Sequence, residues 1–239
     1  MTSGEMDKIL AKAADRALPR GAEAAAIGRV EGAILKDLRP VRPLAPAWVF
    51  TLSFVALFAA AAAASASALG MHGLPVLSGL QRGLIFPALL ATAWLAAAAC
   101  TRAMSPAAGS RLGGAALVLA VGVFPIVFAL VFHDYDARNL VREGIPCLVA
   151  GLCVAIPTGL AIAWILRRGF VLDWSAAGIA AGALSGLAGL TMLELHCANL
   201  KAIHVIVWHV AVVLVSGMLG LGIGSIAGAA RRRAVSQPC

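Results

Sequence analysis

Between Leu193 and His209 the sequence reads LELHCANLKAIHVIVWH, and these seventeen residues hold one carboxylate, one thiol and three imidazoles. Glu194, His196, Cys197, His204 and His209 are side chains that bind metal ions, move protons or, as thiolate, exchange disulfides. The rest of the chain is mostly Ala, Leu, Gly and Val. His204 and Trp208 are four apart and share a helix face, whereas His209, five from His204, points elsewhere at α-helical spacing. Four other cysteines are present: Cys100, Cys147, Cys153 and Cys239.

The elements that must position these groups follow from composition. The 239 residues are 61% hydrophobic and 13% charged, against about 25% charged in a soluble domain. Six runs lack any charge: Ala47–Leu69, Gly83–Cys100, Leu112–Phe132, Ile145–Leu166, Trp174–Leu193 and Ile203–Ala227. Each is near the ~20 residues that cross a bilayer as a helix, and lipid admits only helices or closed barrels. The expected fold is all-α, a polytopic protein of six transmembrane helices over residues 47–227. A cytosolic N-terminal segment, 1–46, precedes it and a basic tail, 228–239, follows. The small-residue run SASALG after Ala64 resembles a signal-peptidase site, but about 46 residues precede the span, so it reads as a retained anchor.

Charge sets the orientation. Fifteen of the nineteen Lys and Arg fall in the N-terminal segment, the second and fourth connections and the tail, while Arg82, Arg138, Arg142 and Lys201 fall opposite. The positive-inside rule puts both termini in the cytoplasm. The net +8 then reflects anionic lipid, with no direct nucleic-acid partner. On this topology Glu194, His196 and Cys197 lie in a short periplasmic connection, with His204 and His209 in the first turns of the last span. Cys147 and Cys197 share the outer, oxidising face, and they can form a disulfide if their Cα atoms come within ~7 Å. Cys153, about 9 Å along the helix from Cys147, reads as a small hydrophobe.

The N-terminal segment is a module of its own. Met6, Ile9, Leu10, Ala13, Ala14 and Ala17 recur at helical spacing up to Pro19, and Ile27, Val30, Ile34 and Leu38 mark the face of a second helix. RPVRPLAP, Arg39–Pro46, is a stiff extended connector. The near balance of acids and bases favours docking of a cytosolic protein over a helix lying on lipid. Gly178, Gly182 and Gly186, and then Ser216, Gly220, Gly224 and Gly228, form stripes of small residues that imply close packing of the last two spans. No charged residue lies inside a span, which argues against an ion-coupled transporter. No HExxH, GxSxG, phosphate loop or CxxC occurs, so an enzyme is not expected.

ELHC at Glu194–Cys197 with VWH at Val207–His209, DLRPVRPLAP at Asp37–Pro46 and IPCL at Ile145–Leu148 resemble the NrsF-like family of six-span bacterial anti-sigma factors. The resemblance runs from about Ala25 to Arg233, with residues 1–24 an extension. Ala198 departs from it, since proline often follows the family's His-Cys pair. The resemblance implies that the cytosolic N-terminus holds an extracytoplasmic-function sigma factor at the inner membrane; the helical spacing of Ile27, Val30, Ile34 and Leu38, with Arg39 and Arg42 following, makes these the expected docking residues. The resemblance also implies release of that factor on periplasmic stress by heavy metals or oxidants, with Cys147 and Cys197 as the sensing residues. The pair acts as a redox couple or as two ligands of a soft metal, with His196 the next ligand and Glu194 and His204 behind it. No resident cofactor is expected, only a transient heavy-metal ligand. The alternatives are a membrane thiol–disulfide oxidoreductase, which would want a CxxC pair, and a transporter of a metal or small solute.

Overall fold

The computed structural model describes residues 4–5, 7–8, 12, 20–37, 45–104, 112–169 and 171–236. The chain divides into two compact units, Met1–Leu44 and Ala45–Cys239. The first contains helix α1, Arg20–Asp37. Ile27 and Val30 are each 58% exposed on it, so they are open to a partner. Ile34 lies on the same helix. Leu38, Arg39 and Arg42 lie outside the described residues, as does most of the expected first helix over Met6–Ala17.

The second unit is a helical bundle of α2 (Ala47–Leu69), α3 (Gly79–Ala103), α4 (Leu112–Val131), α5 (Leu140–Leu166), α6 (Trp174–His196) and a last continuous helix, α7. Helix α7 is α-helical over Ala202–His204, a π-helix over Val205–His209 and α-helical again over Val210–Ser236. No strand occurs among the described residues; an isolated bridge joins Asp134 to Lys201. Among the described residues, five helices are long and apolar enough to cross a membrane: α2, α3, α5, α6 and, over Ala202–Arg233, α7. The shorter apolar run Val121–Val131 of α4 adds to these among the described residues, at the place of the third of the six expected spans.

Local chemistry starts the helices. Ser78 caps α3 through a capping box: Ser78 Oγ accepts from the Gln81 N–H at 3.3 Å, and the Gln81 Oε1 accepts from the Ser78 N–H at 2.8 Å. The Asp173 carboxylate accepts from the Ala176 N–H at 3.0 Å to cap α6. Pro87, Pro125, Pro146 and Pro157 sit inside helices, as membrane helices tolerate. The bundle is built around α6, 83% of whose apolar window is buried against 28–39% for the other spans.

Its tightest partner is α7. A Cβ on Gly178 or Gly182 meets the backbone oxygen of Gly220 or Ser216, and one on Gly224 meets that of Trp174. The two stripes of small residues therefore face each other within one chain, and only the absence of side chains lets the backbones approach so closely. Val212 fills the seam where α5 joins, its methyls against Gly151 and Gly189. Phe54, Phe58, Ile85, Leu89, Phe124, Phe128, Leu184, Leu187 and Leu190 complete the main core.

Candidate functional site

The C-terminal end of α6, the N-terminal end of α5 and the start of α7 meet at one end of the bundle. Polar contacts hold the connection between α6 and α7 there. The Gly73 and Leu74 N–H groups donate to the Leu195 carbonyl at 3.0 and 3.1 Å, and the Ala202 N–H donates to Asp134 O at 2.6 Å. The Asn199 amide donates to Glu143 at 2.9 Å, and the Lys201 ammonium lies 3.3 Å from Asp136 and 3.8 Å from Glu143. Gly73 is needed as glycine, because a Cβ there would meet the Cys197 and Glu194 carbonyl oxygens at 2.5 and 2.8 Å.

Inside this cap, Cys147 Sγ from α5 faces Cys197 Sγ at the C-cap of α6, 3.8 Å away. Cys197 Sγ also lies 3.7 Å from His204 Nε2. The rings of His204 and His209 meet edge to face with centroids 5.3 Å apart, and both are 1% exposed. One ligand atom each from Cys147, Cys197, His204 and His209 fall within 4.8 Å of one another. His209 Nδ1 hydrogen-bonds Glu194 Oε1 at 2.7 Å, the carboxylate itself 3% exposed, whereas His209 Nε2 is buried without a hydrogen-bond partner. The Cys197 thiol is held well below its ordinary range, first by the Cys147 sulfhydryl that faces it; burial opposes this, and the His204 and His209 imidazoles add to it.

Several expectations change here. Glu194 and His196 do not lie in a loop: both belong to the last turn of α6. Glu194 is on His209, not among the four clustered ligand atoms. His196 turns away, its Nδ1 on the Gly70 carbonyl at 2.7 Å and its ring against His72. His209 joins the cluster instead of pointing elsewhere, because the turn after His204 is π-helical. Trp208 faces Gly144 of α5, where any Cβ would overlap its ring. The structure thus brings Cys147, Cys197 and His204 together and adds His209. A sequence signal for Glu194 existed: it is the last carboxylate in the chain, and an apolar bundle that buries an acid must supply a donor. Of the other cysteines, Cys100 is buried and Cys153 is exposed on the outside of α5.

Fold and site together define a helical membrane protein whose reactive side chains are concentrated in one cysteine–histidine cluster between three helices. The chain belongs to the NrsF family, described as negative regulator of sigma F, whose model matches residues 35–227. Its partner is accordingly a sigma factor. No curated protein and no solved structure matches the chain.

Proposed function

We propose that this protein is an inner-membrane anti-sigma factor that sequesters an extracytoplasmic-function sigma factor on its cytosolic N-terminal segment and releases it when the Cys147–Cys197 pair meets a periplasmic heavy metal or oxidant. In this reading α4 is the sixth span, both termini are cytoplasmic and the cysteine–histidine end of the bundle faces the periplasm, as the basic asymmetry of the sequence favours. The carrying observation is the facing of the two thiols at 3.8 Å in a member of this regulator family. Cys147 belongs to α5 and Cys197 to the tightly packed α6–α7 pair, so anything that ties the sulfurs together biases α5 against that pair. Moving a two-state regulator from mostly holding to mostly releasing takes about 5 kcal/mol of differential binding, a magnitude within reach of a single metal–thiolate site or disulfide.

The test is a sigma-dependent reporter in cells carrying Cys147→Ser, Cys197→Ser or both, with and without cadmium or oxidant. Residues acting as one unit give the same phenotype singly and together. Wild-type induction in the double variant places sensing elsewhere. For docking, Ile34→Asp with Leu38→Asp in the full chain is expected to abolish co-purification of the sigma factor, and undiminished capture refutes the assigned face. A thiol–disulfide oxidoreductase is the second reading, favoured by the same facing sulfurs; it requires the purified protein to turn over a dithiol substrate.

A further inference from the structure

The four clustered groups have the composition and spacing of a closed coordination shell. Zn2+ takes four ligands tetrahedrally, with Zn–S near 2.3 Å and Zn–N near 2.0–2.1 Å, which sets the sulfur–sulfur edge at about 3.8 Å and the sulfur–nitrogen edge at about 3.6 Å. Cys147 Sγ–Cys197 Sγ is 3.8 Å and Cys197 Sγ–His204 Nε2 is 3.7 Å. The remaining separations, up to 4.8 Å, close with side-chain adjustments of about an ångström. His209 completes the shell in a specific way. Its Nδ1 is taken by Glu194, which leaves Nε2 as the free nitrogen, and that atom is buried with no hydrogen-bond partner. A carboxylate on the far nitrogen of an imidazole is the usual device for fixing tautomer and ring orientation in a metal-ligating histidine. A buried imidazole nitrogen without a partner is costly, and a metal ion removes that cost. The π-turn over Val205–His209 is what places His209 there, and single π-turns in helices are concentrated at functional positions.

We propose that Cys147, Cys197, His204 and His209 form a closed tetrahedral site for one borderline or soft divalent ion, Zn2+ or Cd2+, with Glu194 as the carboxylate that orients His209. The site deepens the function proposed above, resting on it for the cysteine pair's sensory role but on geometry alone for metal binding. Two thiolates and two imidazoles suit such ions and exclude Mg2+ and Ca2+, which require oxygen ligands. The ion joins α5, the end of α6 and the start of α7, so its arrival fixes α5 against the other two. Glu194 is a positioning residue and touches no metal.

The experiment uses the full chain in detergent micelles, reduced and stripped of metal, titrated with Co2+ as a spectroscopic probe and then with Zn2+. The expected result is one Co2+ per chain, intense ligand-field bands of tetrahedral cobalt, thiolate-to-cobalt charge transfer and displacement by Zn2+. Cys147→Ser reduces the charge-transfer intensity to about half, and His209→Ala shifts the ligand-field bands and weakens binding. Glu194→Gln keeps the spectrum but binds about 10–100-fold more weakly, and His196→Ala behaves as wild type. Helix content and elution volume show whether each variant is folded, and Zn2+-dependent thermal protection of wild type gives a second readout. Weak octahedral bands, no binding to folded wild type, or unchanged binding by His209→Ala overturns the site. Absent Co2+ binding with cysteine-dependent induction in the reporter leaves the sensory function standing as a disulfide couple, whereas tight binding without cysteine-dependent induction retains the site and rejects the function.

Discussion

Gly186 and Gly222 make a matched test of the α6–α7 seam. A Cβ on Gly186 would stand 2.6 Å from Val213 Cα and 3.1 Å from both Ser216 Cβ and Val212 O, against the 3.4 Å at which ordinary contact begins. Alanine at Gly186 must therefore part the two backbones by about 0.8 Å, and both are helical, so neither yields as a side-chain end does. A gap of that size forfeits roughly a quarter to a half of the dispersion energy of the atoms it separates. Val212 and Val213, 0% and 2% exposed, are among those atoms. Overpacking of this kind costs about 1–3 kcal/mol. Gly222 of α7 has nothing within 4 Å of its Cβ position, so Gly222→Ala gains only the helix preference of alanine, about 0.5–1 kcal/mol. Both variants share that gain, and the difference between them isolates the packing contribution. At about 2–4 °C per kcal/mol for a chain of this size, Gly186→Ala is expected to unfold about 2–12 °C below Gly222→Ala in the same detergent, measured by circular dichroism. Equal midpoints, or a Gly222→Ala variant less stable than Gly186→Ala, refute the packing argument.

Three further outcomes follow from particular contacts. In the reduced, metal-free protein Cys197 is expected to alkylate at a nearly constant rate as pH falls from 8 to 6. Its lowered pKa keeps it thiolate below the ordinary cysteine range, whereas an ordinary thiol of pKa about 8.5 slows close to tenfold per unit; a tenfold-per-unit fall contradicts the cluster's electrostatics. Glu194→Ala leaves the His209 imidazole without its 2.7 Å partner in a site 1% exposed, at an expected cost of about 1–3 kcal/mol in chemical or thermal unfolding, and an unchanged midpoint means that the pair is not formed. Ser78→Ala removes the capping box of α3 and is expected to cost about 1 kcal/mol, read as a lower midpoint without loss of the α6–α7 seam.

Much of the bundle is legible in the sequence because its cause is local. Long charge-free runs can satisfy their backbones in lipid only as helices, and the ranges of α2, α5 and α6 follow those runs closely. The small residues at Gly178, Gly182, Gly220 and Gly224 announce a close approach before any partner is known, since a four-residue period puts them on one side of each helix. The family, too, is carried by short motifs in the chain itself.

The site needed the tertiary structure. At 3.6 residues per turn, a position five residues on lies about 140° around the helix, which sends His209 away from His204. The π-turn inserts the extra residue that returns it, and no residue type in VIVWH dictates that turn. Glu194 and His209 are fifteen residues apart and Cys147 and Cys197 fifty, so only the packing of α5 on the α6–α7 pair makes them neighbours. Likewise His196, one residue before Cys197 in the sequence, leaves the cluster because the Gly70 carbonyl offers its ring nitrogen a hydrogen bond at 2.7 Å. Composition and period determine which segments become helices. Which side chains meet at their ends depends on the register between helices, a property of long-range packing that short-range sequence does not encode.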